Sequence, residues 1–105
     1  GMKYHIKLTL YKEEREYGFG PGTCELLERV EVTRSLNQAA KDMGMSYSKA
    51  WKSLKNTEEN LGIQLLIRKG PQGSILSKEG SALVRLYQNA LLKAESVIEQ
   101  EVSGS

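Results

Sequence analysis

The order of apolar and polar positions changes twice in the first third of the chain. Residues 3–11 alternate between the two, which is the period of a half-buried strand. Charged residues, followed by glycines around a proline, predict a loop over residues 12–22. Apolar positions then recur at helical spacing, and Pro21 suits the first turn of this helix. The apolar stripe of the helix comprises Cys24, Leu26, Leu27 and Val30.

Two further helices are predicted only a few residues apart. Ser35 is placed to cap the first, which ends at Gly44, and Ser46 is placed to cap the second, which ends at Gly62. The apolar positions of the two helices are Leu36, Ala39, Ala40 and Met43, then Ala50, Trp51, Leu54 and Leu61. Two helices joined by a tight turn indicate a helix-turn-helix, whose second helix lies in the major groove of DNA.

A short hairpin and a long helix follow. Residues 64–68 and 74–77 are rich in Leu and Ile, and a glycine-containing turn over residues 69–73 joins them. This hairpin is the expected wing. Helical spacing resumes at residue 78 or 79 and continues to about residue 102. The sequence therefore predicts a mainly α fold with a small β component: one winged helix-turn-helix domain over residues 1–105, with a long C-terminal helix.

This C-terminal helix has more apolar surface than a three-helix core can cover. Its stripe comprises Leu83, Leu86, Tyr87, Ala90, Leu91, Ala94, Val97 and Ile98. An uncovered apolar stripe favours a partner, so we expect residues 79–102 to hold a homodimer together. The alternative is that the helix folds back on the N-terminal strand, whose apolar side also needs cover.

Composition bounds the class of protein. With 105 residues, 39% of them hydrophobic and 27% charged, the chain has enough apolar material for one folded domain. It has no apolar run of membrane-spanning length and no signal-peptide pattern at its start, so we expect a cytoplasmic protein with no membrane partner. Gly1 ahead of Met2 has the form of a residue left by tag removal.

Few residues are available for catalysis or metal binding. Cys24 is the only cysteine, which excludes an internal disulfide and a cysteine-based zinc site. His5 is the only histidine and falls in the predicted strand, where no nucleophile, base and orienting residue can be assembled around it. We therefore expect no enzyme activity, no metal and no cofactor.

Positive charge is concentrated in one segment. The formal net charge of the whole chain is only +2, yet residues 46–73 contain five basic and two acidic residues. A chain that gathers its positive charge in this way presents a face to a polyanion. The alternative is an ordinary amphipathic helix pair with a solvated lysine face.

The expected contacts with double-stranded DNA lie on the second helix of the helix-turn-helix and in the wing. Ser46 would meet a phosphate at the helix N-terminus, and Arg68 and Lys69 of the wing would contact phosphates. The groove-facing side of the helix comprises Tyr47, Ser48, Lys49, Lys52, Ser53 and Asn56. Trp51 is expected in the core, while for Tyr47 packing and a phosphate contact both stay open.

The stretch 20–87 resembles the N-terminal domain of the molybdate-responsive ModE regulators and, more distantly, the LysR-type DNA-binding domain. The motifs that carry the resemblance are the Gly-Pro-Gly start at residues 20–22, Ser35-Leu36 with Ala39-Ala40, Gly44-Met45-Ser46-Tyr47, Ala50-Trp51, Leu61-Gly62 and Leu76-Ser77-Lys78-Glu79-Gly80. The resemblance implies a winged helix that binds DNA and regulates transcription. A winged-helix protein–protein interaction module remains the alternative.

The sequence departs from the ModE pattern at two places within this stretch. Arg34 stands where that family usually has glycine, and the glycine-rich wing is shortened to residues 70–73. The sequence also contains no oxyanion-binding domain before residue 105, so the resemblance supports DNA binding and does not support molybdate sensing; whether any effector is sensed is left open.

Overall fold

Four α-helices, one short 3-10 helix (Gly70–Gln72) and one two-stranded antiparallel sheet form the computed structural model, which describes residues 1–13, 15 and 18–104. In chain order the elements are α1 (Pro21–Thr33), α2 (Leu36–Asp42), α3 (Tyr47–Leu61), β1 (Leu66–Arg68), β2 (Ser74–Leu76) and α4 (Lys78–Ser103). The predicted mainly α winged helix-turn-helix is confirmed. Residues 14, 16 and 17 of the predicted loop lie outside the described residues.

The helix boundaries follow the capping residues of the sequence. The Ser35 hydroxyl accepts from the Gln38 N–H at 3.0 Å, and the Ser46 hydroxyl accepts from the Lys49 N–H at 3.2 Å. Each bond satisfies a backbone donor that the first turn of a helix leaves unpaired. Gly62, with φ 69°, ends α3 in the left-handed conformation. The predicted turn between α2 and α3 therefore forms where these caps place it.

The predicted N-terminal strand over residues 3–11 is wrong as a strand. Among the described residues the segment forms one isolated bridge, between Leu10 and Phe19, with N···O distances of 2.8 and 2.7 Å. The segment runs along α4 instead, where the Tyr87 hydroxyl donates to the Leu8 carbonyl at 2.8 Å. Burial still alternates, with residues 6, 8 and 10 half-buried and their neighbours exposed. The alternation of apolar and polar residues therefore indicates that one side of the segment is covered. It does not indicate a ladder of hydrogen bonds to a neighbouring strand.

The core lies where α1, α2, α3 and α4 meet. Ala40 of α2 and Ala50 of α3 are fully buried, which lets these two helices approach closely. Phe19 is also fully buried, and its ring meets the Tyr87 ring edge-on at 5.5 Å between centroids. The largest fully buried side chains are Phe19, Leu26, Leu27, Leu54, Leu65, Val30 and Val84. The core thus holds one side of α3 and leaves the other side of this helix exposed.

The wing is attached to the junction between α1 and α2. β1 and β2 pair with Leu66 opposite Leu76 and Arg68 opposite Ser74. The Ser74 N–H donates to the Arg34 carbonyl at 2.8 Å. Gly73 has φ 87°, and a Cβ there would lie 2.1 Å from the same carbonyl oxygen. A side chain at this position would push the wing away from the helices.

α4 is anchored at its N-terminal end. The Ser77 hydroxyl accepts from the Gly80 N–H at 2.8 Å and donates to the Gln64 carbonyl. Further along, the Arg85 guanidinium pairs with the Glu31 carboxylate of α1 at 2.8 Å. None of the helices in the described residues combines the length and the apolar character that crossing a membrane requires.

Candidate nucleic-acid interface

The surface of α3 that lies away from the core is polar. Ala50, Leu54 and Leu61 of this helix are buried. Seven of the predicted contact residues occupy its start and its remaining surface: Ser46, Tyr47, Ser48, Lys49, Lys52 and Asn56 are exposed, and Ser53 is half-buried. Three of these, Ser48, Lys52 and Asn56, follow one another at four-residue spacing and so form a row along the helix. This row is exposed along the helix.

Two lysines of this surface form no ion pair with the residues that the structure describes. The ion pairs found among the described residues involve Arg29, Lys55 and Arg85 as the cations. Lys49 and Lys52 are in none of these pairs, and both are exposed. Their ammonium groups are therefore available to an external polyanion.

One of the two acidic residues of segment 46–73 is turned inward. The Glu58 carboxylate accepts from the N–H groups of Leu65 and Leu66 at 2.7 and 3.3 Å, at the entry to β1. It also pairs with the Lys55 ammonium at 3.0 Å, and its side chain is only 11% exposed. The Glu58 carboxylate therefore holds the start of β1 in place, and its negative charge does not oppose the lysines on the exposed face of α3.

The Ser46 hydroxyl is already in use as a cap. Its oxygen accepts from the Lys49 N–H, while the hydroxyl hydrogen remains available as a donor because a hydroxyl both accepts and donates. The predicted phosphate contact of Ser46 is therefore compatible with its structural role.

A groove borders α3 on the side of the N-terminal segment. It is lined by Lys7 and Thr9 of the N-terminal segment, by Lys49, Lys52 and Asn56 of α3, and by the first turn of α1. Lys7 is not among the site residues predicted from the sequence. Its polar position in the alternating segment was visible, but the path of that segment beside α3 depends on tertiary packing that no local pattern reports.

The wing lies against the opposite flank of α3. Arg68 and Lys69, the predicted phosphate contacts of the wing, are both exposed. The Arg68 guanidinium carbon lies 4.2 Å from the centre of the Trp51 ring, and an Arg68 N–H donates to the Tyr47 hydroxyl. The Trp51 and Tyr47 rings stack at 6.5 Å with 9° between their planes.

These contacts correct the prediction that Trp51 is a core residue. The ring packs against the core but is only half-buried, and two cations contact it: Arg68 of the wing and Lys55 of the next helical turn, at 4.4 Å. The sequence indicated its side of the helix correctly. It did not indicate that the wing, which is distant in sequence, covers the ring with Arg68.

Comparisons with known proteins confirm the resemblance inferred from the motifs. Residues 23–81 match the bacterial regulatory helix-turn-helix proteins of the lysR family. The DNA-binding transcriptional dual regulator ModE of Escherichia coli K12 is 32% identical over 91 residues, which are 82% of this chain and 34% of that protein. ModE of Yersinia pestis is 33% identical over the same length. The chain thus spans about a third (34%) of the length of these relatives.

Two solved structures have a fold similar to that of this chain. The DNA-binding domain of CbnR, solved as a complex with DNA, superposes with a TM-score of 0.63 at 21% identity, covering 80% of this chain and 97% of that one. ArgP of Mycobacterium tuberculosis superposes with a TM-score of 0.57 at 26% identity, covering 75% of this chain and 30% of that one. The family match includes α2, α3 and the wing. The chain belongs to the lysR family of bacterial regulatory helix-turn-helix proteins.

Proposed function

We propose that this chain binds double-stranded DNA at specific sequences and regulates transcription. The observation that carries the proposal is the exposed polar surface of α3, where Lys49 and Lys52 have no ion pair among the described residues, beside a wing that presents Arg68 and Lys69. The ModE relatives are described as transcriptional regulators, and ModE of E. coli K12 as DNA-binding. Like them, the chain acts by binding and not by catalysis.

In the proposed complex α3 lies in the major groove. Lys52 and Asn56 are one turn apart on its outer surface, where a lysine donates to guanine and an asparagine bonds adenine at base edges. Lys49, Ser46, Ser48 and Ser53 donate to phosphates and bases beside them, and Tyr47 lies at the start of the helix. Arg68 and Lys69 bind phosphates next to the groove and so set the orientation of the domain.

The first experiment measures binding to a mixed-sequence duplex as a function of salt. Each phosphate that a basic residue neutralises contributes about −0.9 to the slope of log K against log salt. With four basic residues in contact, affinity should fall steeply between about 50 and 200 mM salt. A chain that binds no duplex even at the lowest salt would contradict the proposal and favour the protein–protein interaction module.

We also propose that the protein is a homodimer that joins through α4 and acts in the bacterial cytoplasm, where the chromosome is found. α4 is 26 residues long, so it extends for about 39 Å at 1.5 Å per residue. Leu83, Tyr87 and Leu91 pack on the core, but Leu86 and Val97 on the adjacent side remain 58% and 61% exposed. The small residues Ala90 and Ala94 lie beside this exposed surface and let a second helix approach closely.

A further inference from the structure

Strand β1 is tied to α3 at both of its ends. At the start of the strand, the Glu58 carboxylate accepts from the N–H groups of Leu65 and Leu66. At its end, Arg68 lies over the Trp51 ring, 4.2 Å from the ring centre, and donates to the Tyr47 hydroxyl. These contacts connect both ends of β1 to α3.

The contacts at the end of the strand come from a row of side chains on α3. Tyr47, Trp51 and Lys55 follow one another at four-residue spacing, so they lie on successive turns of one flank. The two rings stack, the Lys55 ammonium lies 4.4 Å from the Trp51 ring, and the Arg68 guanidinium lies 5.8 Å from the Tyr47 ring. The negative ring face attracts both cations.

An exposed arginine on a hairpin samples many rotamers, and ordering it on binding costs free energy. Here the guanidinium is ordered in advance by an aromatic ring and a hydroxyl. The guanidinium can still bind another group. It has five N–H donors, of which the bond to Tyr47 uses one, and the side chain remains exposed. The remaining donors can still bind a phosphate.

We propose that Trp51 is a positioning residue for DNA binding: its ring holds Arg68 in the conformation that reaches the DNA backbone, so that α3 and the wing bind as one rigid unit. The inference rests on the proposed function, since it concerns how the same surface recognises DNA. It assigns to Trp51 a role that neither a core residue nor a direct contact residue would have.

The test on DNA is a double-mutant cycle between Trp51 and Arg68. Affinity for a duplex is measured by fluorescence anisotropy for the wild type, Trp51→Leu, Arg68→Met and the double variant, each checked for its melting temperature. Loss of a cation–π contact should make Trp51→Leu bind about threefold to tenfold more weakly. The double variant should bind no more weakly than Arg68→Met, because the ring acts only through the guanidinium.

The conservative variant separates positioning from packing. Trp51→Phe keeps an aromatic face and should retain most of the affinity that Trp51→Leu loses. Losses that multiply in the double variant would overturn the inference, and so would a folded Trp51→Leu variant with wild-type affinity. If the wild type itself binds no duplex, it is the proposed function that fails, and the next measurement still decides the contact.

A readout without DNA exists because Trp51 is the only tryptophan of the chain. Arg68→Met should shift its emission and make it more accessible to acrylamide, since a covering group is removed from the ring. Lys69→Met is the matched control, one exposed residue further along the wing, and should leave the spectrum unchanged. An Arg68→Met emission spectrum identical to that of the wild type would overturn the inference. This test does not need the Trp51→Leu variant, so it holds even if that variant does not fold.

Discussion

Arg34 has an unusual backbone conformation. Among the described residues it is the one non-glycine residue with positive φ, at 59°, and it occupies the left-handed turn between α1 and α2. Such a conformation costs a residue with a Cβ about 1–2 kcal/mol. The sequence showed only that Arg34 replaces a customary glycine of the ModE pattern. The structure gives the physical reason why glycine suits that position.

Arg34→Gly should therefore stabilise the domain. Relief of the backbone strain is partly offset by the larger freedom of glycine in the unfolded chain, which leaves a net gain of about 0.5–1 kcal/mol. Urea unfolding would measure it. Arg34→Ala is the matched control, because it removes the same side chain but keeps the Cβ and should show no such gain. Equal stabilisation by both variants would mean that the guanidinium and not the backbone is responsible.

Lys49 and Lys52 can be tested by replacing both with alanine. The melting temperature should change little because both side chains are exposed, while the affinity for duplex DNA should fall. The salt slope should become shallower by about 1, because Lys49 is placed at a phosphate and Lys52 at a base edge. Lys3→Ala with Lys93→Ala removes the same charge from exposed positions outside α3 and the wing. If this control pair weakened binding as much, net charge and not the α3 surface would carry the affinity.

Cys24 should be chemically inert in the folded protein. Burial, together with the negative charge of Glu28, raises the pKa of its thiol to about 12. A thiol reagent at pH 8 should therefore react only after denaturation, because the thiolate is the reactive form. Since the folded pKa lies above the unfolded value of 9.0, the stability held by the neutral thiol is present below pH 9 and is lost between pH 9 and about 12. Rapid labelling of the native protein at pH 8 would contradict this assignment.

At the scale of elements, Ser77 connects the wing to α4. Ser77 is 3% exposed, and its hydroxyl caps the helix at Gly80 while donating to the Gln64 carbonyl. Ser77→Ala loses both bonds and leaves buried polar groups unpaired, so we expect a loss of about 1–3 kcal/mol in the free energy of unfolding. Ser46→Ala removes an exposed cap and should cost less, about 0.5–1 kcal/mol. Chemical denaturation of both variants gives the comparison, and equal losses would show that burial of the hydroxyl adds nothing.

The elements that local signals specify could be predicted from sequence. Serine caps, glycine stops and helical spacing placed α1 to α4 and the wing close to their observed bounds, because these signals act within a few residues. The N-terminal segment was predicted wrongly, since an alternating pattern records which side is covered and not what covers it. Phe19 lay in a predicted loop, and its burial depends on α4, distant in sequence.

Part of the candidate site could be predicted from the sequence, and part of it could not. The exposed surface of α3 was predictable because helical spacing separates Ala50 and Leu54 from Lys49 and Lys52. The covering of Trp51 by Arg68 was not, because it depends on how the hairpin folds back on α3. Contacts between elements that are distant in sequence have no local signal.

The whole molecule is elongated, with dimensions of 53 × 31 × 23 Å, and α4 accounts for much of its length. The N-terminal segment covers one side of α4, as the bond from Tyr87 to Leu8 indicates, and leaves Leu86 and Val97 exposed. Two copies joined along this surface would present two α3 helices related by a two-fold axis. The operator should therefore be roughly palindromic, with half-sites about one DNA turn of 34–36 Å apart or a multiple of it. Selection of bound sequences from a random pool would show the symmetry.

Sedimentation at micromolar concentration tests the homodimer and the surface that forms it. The wild type should sediment as twice the mass of the chain, and Val97→Glu should convert it to the monomer, because a carboxylate would be buried without a partner in the interface. Leu92→Glu is the matched control: Leu92 is 65% exposed against 61% for Val97, but five positions along a helix place it about 140° around the axis. It should leave the dimer intact. A wild-type monomer that still binds one palindromic site would contradict the homodimer, and dissociation by Leu92→Glu alone would place the interface on the other side of α4.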